Sequence, residues 1–227
     1  MKVLLDTHVF LWWVTNRDLL SQAARQIIGD GGNDLFFSAG SAWEIATKTR
    51  LGKLRLSDDL EGFIAGQLTH AKELCAVTNQ WVNSYKRLVA GYEAPVYISW
   101  ARRNRSVLIR VPTYRPGDEL AARVELRSPD PACNPYLAFA AMLACGLEGM
   151  EKSYEFPDPV EGNIFKMTQE ERDHHGIGSL PRNLGTAIEE TENSEIIRRA
   201  LGDHVFDCFI ELKKKEWDDY QLQVTQY

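Results

Sequence analysis

Lysine is missing from the middle of this sequence. Between Arg87 and Arg127 there are eight arginines (Arg87, Arg102, Arg103, Arg105, Arg110, Arg115, Arg123 and Arg127) and no lysine, where a surface built only for solubility would use both. No apolar run reaches the roughly 20 residues of a membrane span, and no basic stretch followed by an apolar core opens the chain as in a signal peptide. The four cysteines, Cys75, Cys133, Cys145 and Cys208, have neither metal-type spacing nor disulfide density. There are no internal repeats and no low-complexity tracts. These absences argue against a membrane protein, a disulfide scaffold and a zinc ribbon, and make a reducing cytoplasm the expected location.

What is there suits a globular chain of one large or two small domains: 227 residues, 44% hydrophobic and 26% charged. The net charge of -6 is unevenly spread. Residues 1–62 carry 7 basic and 8 acidic side chains, residues 63–130 carry 10 and 6, and residues 131–227 carry 9 and 18. A basic middle inside an acidic chain points to a local anionic ligand rather than to nucleic acid bound over the whole surface.

The first sixty residues alternate in the α/β manner. Strand Val3–Leu5 precedes helical Val9–Val14 and Ser21–Ile28, with Ser21 as N-cap; strand Leu35–Phe37 precedes helical Ser41–Thr49. Strands separated by helices predict parallel pairing. Apolar residues from Leu60 to Cys75 recur at helical steps, with Ser57, Asp58 and Asp59 at the start. Short strands follow at Val96–Trp100, Val107–Val111 and Arg123–Arg127. Tyr136–Leu147 reads as a helix apolar enough to be buried, and helices return at Thr168–Arg172, Asn183–Thr191, Ser194–Leu201 and from about Val205 to Trp217.

Asp6 stands at the mouth of a strand that reads as buried, a costly place for a carboxylate without a partner or a metal. Its candidate partner is Glu44; two close carboxylates bind Mg²⁺ or Mn²⁺ through oxygen. The plainer alternative makes Asp6 a helix cap and Glu44 a solvated residue. LLDTHVFLWWVTN followed by FFSAGSAWEIATKTRLGKLRL resembles the first half of a PIN domain, the ribonuclease fold of many type II toxins. That resemblance implies that Asp6 and Glu44 belong to an acidic metal-binding quartet acting on RNA. Segments matching the other two acids are not found in residues 60–227.

In Arg123-Val124-Glu125-Leu126-Arg127, strand alternation puts the three charged residues on one face and the two apolar ones on the other. Such a stripe either lines a site for carboxylate or phosphate or forms an ion-pair ladder. NSYKRLVAGYEAPVYISWARRNRS, then IRVP, then RVELRSPDPACNPYLAFAAMLACGLEGM, resembles the C-terminal catalytic half of glutamine synthetase, over about residues 63–227. The resemblance implies that Arg87 and Arg127 contact glutamate and the transferred phosphate. Glu93 would sit on the flap over glutamate and help deprotonate ammonium, and Arg105 would stabilise phosphoryl transfer. Arg105, Arg110 and Arg123 would lie along the nucleotide, and Glu125 would be a metal ligand. The implied ligands are ATP with Mg²⁺ or Mn²⁺, glutamate and ammonia, and cations over the γ-phosphoryl oxygens make physical sense of them. The loop Thr113–Ala122 is longer than the family pattern, with Glu119-Leu120 where some members carry a basic contact.

The expected fold is therefore α+β: a small α/β PIN-like half-domain over residues 1–62, then an antiparallel-strand glutamine synthetase segment with many helices over 63–227. The expected function is that of a glutamine synthetase segment (glutamate–ammonia ligation through γ-glutamyl phosphate), incomplete and inactive alone, in a homo-oligomer or a mixed oligomer with full-length synthetase. The alternatives are a metal-dependent ribonuclease fragment binding RNA, or a chimaera with neither activity. His174-His175 and Lys213-Lys214-Lys215 read as solvated, and Trp81 and Trp100 as core or interface residues.

Overall fold

The structure is a computed structural model that describes residues 1–15, 17–38, 41, 59–92, 94–113 and 123–224. It divides into two compact units, Met1–Asp58 and Asp59–Tyr227.

In the first unit, strand β1 (Lys2–Leu5) pairs in parallel with β2 (Asp34–Phe37), Leu4 facing Phe36 in register. Between them run helices α1 (Thr7–Thr15) and α2 (Gln22–Gly29). The expected Ser21 cap is made, its hydroxyl accepting from Ala24 N at 3.2 Å. Leu5, Leu20 and Ile28 form a small core with Val9, Phe10 and Trp12 packed against it. The period of two sends alternate residues the other way, so Leu4 is 69% exposed. The expectation of a buried strand therefore fails: β1 is covered on one face only. Helical Ser41–Thr49 lies outside the described residues except for Ser41.

The second unit opens with α3 (Leu60–Thr69), capped by Asp59, whose carboxylate accepts from Gly62 N at 2.8 Å. Periodicity predicts one helix through Cys75. Instead α3 ends at His70, and a turn leads to the short helix α4 (Cys75–Thr78). His70 caps the helix, its backbone N–H donating to Gly66 O at 3.1 Å. Helix α5 (Ser84–Arg87) follows.

Strands β3 (Tyr97–Ala101), β4 (Val107–Arg110), β5 (Glu125–Leu126) and β6 (Gly178–Ser179) form one sheet in the order β5-β4-β3-β6. The outer pairings are antiparallel, but β3 and β4 run parallel. This corrects the expectation of an antiparallel sheet. Residues 102–106 carry the chain back along the sheet, a far shorter return than the helical crossover that usually joins parallel strands. Val107, Leu108 and Ile109 are fully buried.

Helix α6 (Pro135–Glu151) crosses α3 at close range. A Cβ on Gly66 would stand 3.0 Å from both the Cys145 carbonyl carbon and Gly149 N, and one on Gly149 would stand 2.5 Å from Gly66 N. Only hydrogen fits there. Helix α6 is not buried all round as its composition suggests: Tyr136 is 64% exposed, and the buried face is the small-residue one of Ala138, Ala141, Cys145 and Gly149. Helices α7 (Gln169–His174), α8 (Leu184–Glu192), α9 (Glu195–Leu201) and α10 (Asp203–Gln221) complete the unit. Leu184, Ile197 and Phe206 join the core, where burying each such side chain contributes roughly 1.5–3 kcal/mol. No helix among the described residues is long and apolar enough to cross a membrane.

Candidate functional site

The antiparallel register puts Arg110 of β4 directly opposite Glu125 of β5. Glu125 Oε2 accepts from Arg110 Nε at 2.7 Å and from Nη2 at 2.6 Å, and Oε1 accepts from Arg123 Nε at 2.7 Å. Partial burial pushes the Glu125 carboxyl up, but the Arg123 and Arg110 guanidiniums outweigh it and hold the group below the usual carboxylate range. Alternation holds as read: Val124 and Leu126 pack toward the core. Arg110, Glu125 and Arg123 thus form ion pairs along the strand pair.

Arg127, the third member, turns back under the sheet. Its Nη1 donates to the carbonyls of Arg105 and, at 3.0 Å, Val107, while its backbone N–H donates to Leu108 O at 3.0 Å. Arg105 itself is exposed on the turn between β3 and β4, as are Arg102 and Arg103. Arg102 Cζ lies 5.4 Å from the Trp100 ring centroid, and Trp100, 5% exposed, is a core residue.

Arg87 ends α5 with its guanidinium drawn inward. Nη2 donates to Asn79 Oδ1 at 3.3 Å and to the Ser128 carbonyl, while Nε is buried with no hydrogen-bond partner among the described residues. Asn79 is fully buried and aimed by its own amide, which donates to Thr78 Oγ1 at 3.0 Å. Behind it, burial pushes the Cys75 thiol up to about 12 and the Tyr85 phenol up as well, so neither is a nucleophile or an acid at neutral pH.

Glu93 and Glu44 lie outside the described residues, as do Arg115 and Glu119-Leu120. Asp6 belongs to the first unit, with a side chain 70% exposed. Its Oδ1 accepts from His8 N at 2.9 Å and its carbonyl accepts from Phe10 N at 2.9 Å, which makes it the cap of α1. Its exposure to water removes the cost expected of a buried carboxylate, and His8 Nδ1 stands 3.6 Å from Oδ1. Among the described residues no group of three or more His, Cys, Asp or Glu is arranged to hold a metal ion, and both Glu125 oxygens are committed to arginines. As they stand, these donors do not fit a divalent cation.

Two polar clusters escaped the sequence reading. His70 Nδ1 meets Glu73 Oε1 at 2.9 Å and its Nε2 meets Glu148 Oε2 at 3.0 Å. Glu148 also pairs with Lys152 at 2.6 Å and Arg199 at 2.9 Å, at the edge of a cleft of about 370 Å³. The i,i+3 and i,i+4 spacings of His70–Glu73 and Glu148–Lys152 were visible signals; the link across helices was not. On α10, Lys213 is buried rather than solvated, its Nζ 2.7 Å from Glu216 Oε2 and 4.3 Å from the ring centroid of Trp81, which is 45% exposed. His174 and His175, exposed at the end of α7, meet edge to face.

The second unit is thus a mixed sheet with arginines along β4, β5 and the turn before β4, accompanied by helices. The family model "Glutamine synthetase, catalytic domain" matches residues 44–227. The glutamine synthetase of Mycolicibacterium smegmatis is 56% identical over 174 residues, 77% of this chain and 39% of that protein. That of Methanocaldococcus jannaschii is 54% identical over 172 residues, 76% of this chain and 37% of that protein. A solved GmaS/ADP complex is similar with a TM-score of 0.63 and 35% identity, over 77% of this chain and 39% of that one. The chain belongs to the glutamine synthetase catalytic-domain family. It spans about two fifths of the length of the curated relatives it matches.

Proposed function

We propose that residues 63–227 carry the arginine wall of a glutamine synthetase site: a cradle for the phosphates of ATP and for glutamate, from the ATP-dependent ligation of glutamate and ammonia through γ-glutamyl phosphate. The observation that supports this reading is that four arginines lie on the β3–β4 turn and the β4–β5 pair: Arg110 and Arg123 share Glu125, and Arg127 reaches the backbone carbonyl of Arg105. Arg105 is the exposed cation aimed at a transferring phosphoryl group, where positive charge lowers the barrier. Arg110 and Arg123 lie along the nucleotide, Arg127 braces the Arg105 turn from below, and Arg87 stiffens the wall through Asn79 and Ser128. Bound Mg²⁺ or Mn²⁺ would neutralise phosphate charge in the whole enzyme, but the donors described here do not hold it. Glu93 is the flap residue over glutamate in this reading.

On its own this chain is then a binding wall without turnover. It acts within a homo-oligomer or a mixed oligomer with a full-length synthetase, in the cytoplasm. The test is glutamine formation from glutamate, ammonia and Mg·ATP by the purified chain: none is expected. Turnover that disappears in Arg105→Ala overturns the claim of incompleteness.

For the first 62 residues we infer a PIN-like half-domain joined to this segment. The parallel β1–β2 pair with Asp6 just past the carboxyl end of β1, the usual place for a ligand in such sheets, favours it. With Asp6 spent on capping α1, metal-dependent RNA cleavage is expected to be absent. Cleavage lost on Asp6→Ala would make the ribonuclease reading the leading one.

A further inference from the structure

The turn that returns the chain from β3 to β4 is fastened to a segment far away in sequence. Glu161 Oε1 accepts from Arg102 N at 2.9 Å and Oε2 accepts from Arg103 N at 3.2 Å. Asn104 Nδ2 donates to Val160 O at 2.7 Å and to Gly162 O, while its Oδ1 accepts from Ser106 N at 2.8 Å and Ser106 Oγ at 2.6 Å. Val160 N donates in turn to Trp100 O at 2.9 Å. Segment 160–162 is thus a brace along the turn, and its one ionised group sits on consecutive backbone amides, the donor geometry of an anion-binding nest. The Arg102 and Arg103 amides, with partial burial opposing them, hold the Glu161 carboxyl below the usual range.

An exposed carboxylate beside three arginines ordinarily pairs with a guanidinium. Glu161 instead satisfies main chain, while the Arg102 guanidinium lies against the Trp100 ring and Arg103 and Arg105 stay exposed. The turn is then held from two sides, Glu161 gripping its first amides and Arg127 gripping the Arg105 carbonyl. Held that way, the short parallel return between β3 and β4 presents Arg105 in one direction rather than many, which cuts the ordering cost of binding an anion.

We propose that Glu161 is a positioning residue for Arg105: its carboxylate fixes the Arg102–Ser106 turn so that Arg105 is aimed at phosphate. This rests on the reading of Arg105 as a phosphate contact.

The sign of one substitution separates positioning from simple charge. Removing the negative Glu161 from a basic rim raises ATP affinity if only Coulomb attraction matters; loss of positioning lowers it. The experiment measures ATP binding by calorimetry at low salt for the chain, Glu161→Ala, Arg105→Ala and the double variant, with backbone amide exchange at residues 102–104. Glu161→Ala is expected to weaken ATP about threefold to tenfold, the scale of one lost charge-assisted contact. Arg105→Ala is expected to match it, and the double variant to lose no more. Glu161→Gln, which keeps an acceptor, should recover part of the loss, and amides 102 and 103 should exchange faster in Glu161→Ala whether or not ATP is present. Tighter or unchanged binding in Glu161→Ala, or losses that multiply in the double variant, overturns the proposal. If the unmodified chain binds no ATP, the phosphate reading fails, and amide exchange alone decides: faster exchange retains Glu161 as the brace of the turn, and unchanged exchange removes it.

Discussion

Replacing Gly66 by alanine sets two opposing effects against each other, and their sizes decide the outcome. Gly66 lies inside α3, where alanine gains about 0.8–1 kcal/mol over glycine in intrinsic helix propensity. The new Cβ would meet the Cys145 carbonyl and, at 3.0 Å, Gly149 N. Both obstacles are backbone, so no rotamer change relieves them, and the helices must separate along the small-residue face of α6. Overpacking costs roughly 1–3 kcal/mol, occasionally more, and a backbone collision belongs at the upper end. The net expectation is destabilisation by about 1–2 kcal/mol, lowering the melting temperature by about 2–8 °C for a unit of this size. Urea and thermal melts followed by circular dichroism read both quantities. Gly146→Ala is the comparison: its Cβ meets the Phe63 ring, which can swing aside, so its cost is smaller. A Gly66→Ala variant as stable as the parent, or more so, would refute the claim that α3 and α6 touch through backbone.

Glu125→Gln should tighten metal-free tripolyphosphate binding about twofold to fivefold, because it releases Arg110 and Arg123 from an ion pair worth up to roughly 1 kcal/mol at this exposure. Weaker or equal binding than the parent, or the same gain from the distant Glu170→Gln, would contradict that. The cluster around His70 gives a pH dependence. Burial pushes the Glu73 and Glu148 carboxyls up, but their hydrogen bonds, from His70 and Ser194 and from Lys152 and Arg199, bring both below the usual value. A carboxylate with a depressed folded pKa contributes stability above its unfolded value, about 4.3, and loses it as pH falls through the folded one. Melting temperature should therefore drop most steeply below about pH 4.5, with a shallower drop in Glu148→Gln; an equal slope in that variant would count against this origin.

Local signals were legible and partner choice was not. Ser21 and Asp59 announced their helix starts because a cap is decided within four residues. The alternation of Arg123 to Arg127 correctly gave the charged and apolar faces, since a period of two needs only strand geometry. That Arg110 is the residue opposite Glu125 depends on the β4–β5 register, which the stripe does not encode. The pairing of His70 and the burial of Lys213 by Trp81 depend on residues distant in sequence, Glu148 in one case and the loop between α4 and α5 in the other. Glu161 was invisible for the same reason: it grips a turn almost sixty residues away. The close α3–α6 crossing left a readable trace in Gly62-x-x-x-Gly66 and Gly146-x-x-Gly149.

The phosphate cradle itself is tested most directly by calorimetric titration of ATP into the folded chain at low and at high salt. Binding carried by exposed arginines is screened by ions. The expected result is a measurable heat at low salt that fades at high salt, is weakened by Arg110→Ala or Arg123→Ala, and is unchanged by Lys215→Ala on the exposed face of α10. No heat at low salt in a demonstrably folded sample, or binding indifferent to both arginines, would contradict the cradle.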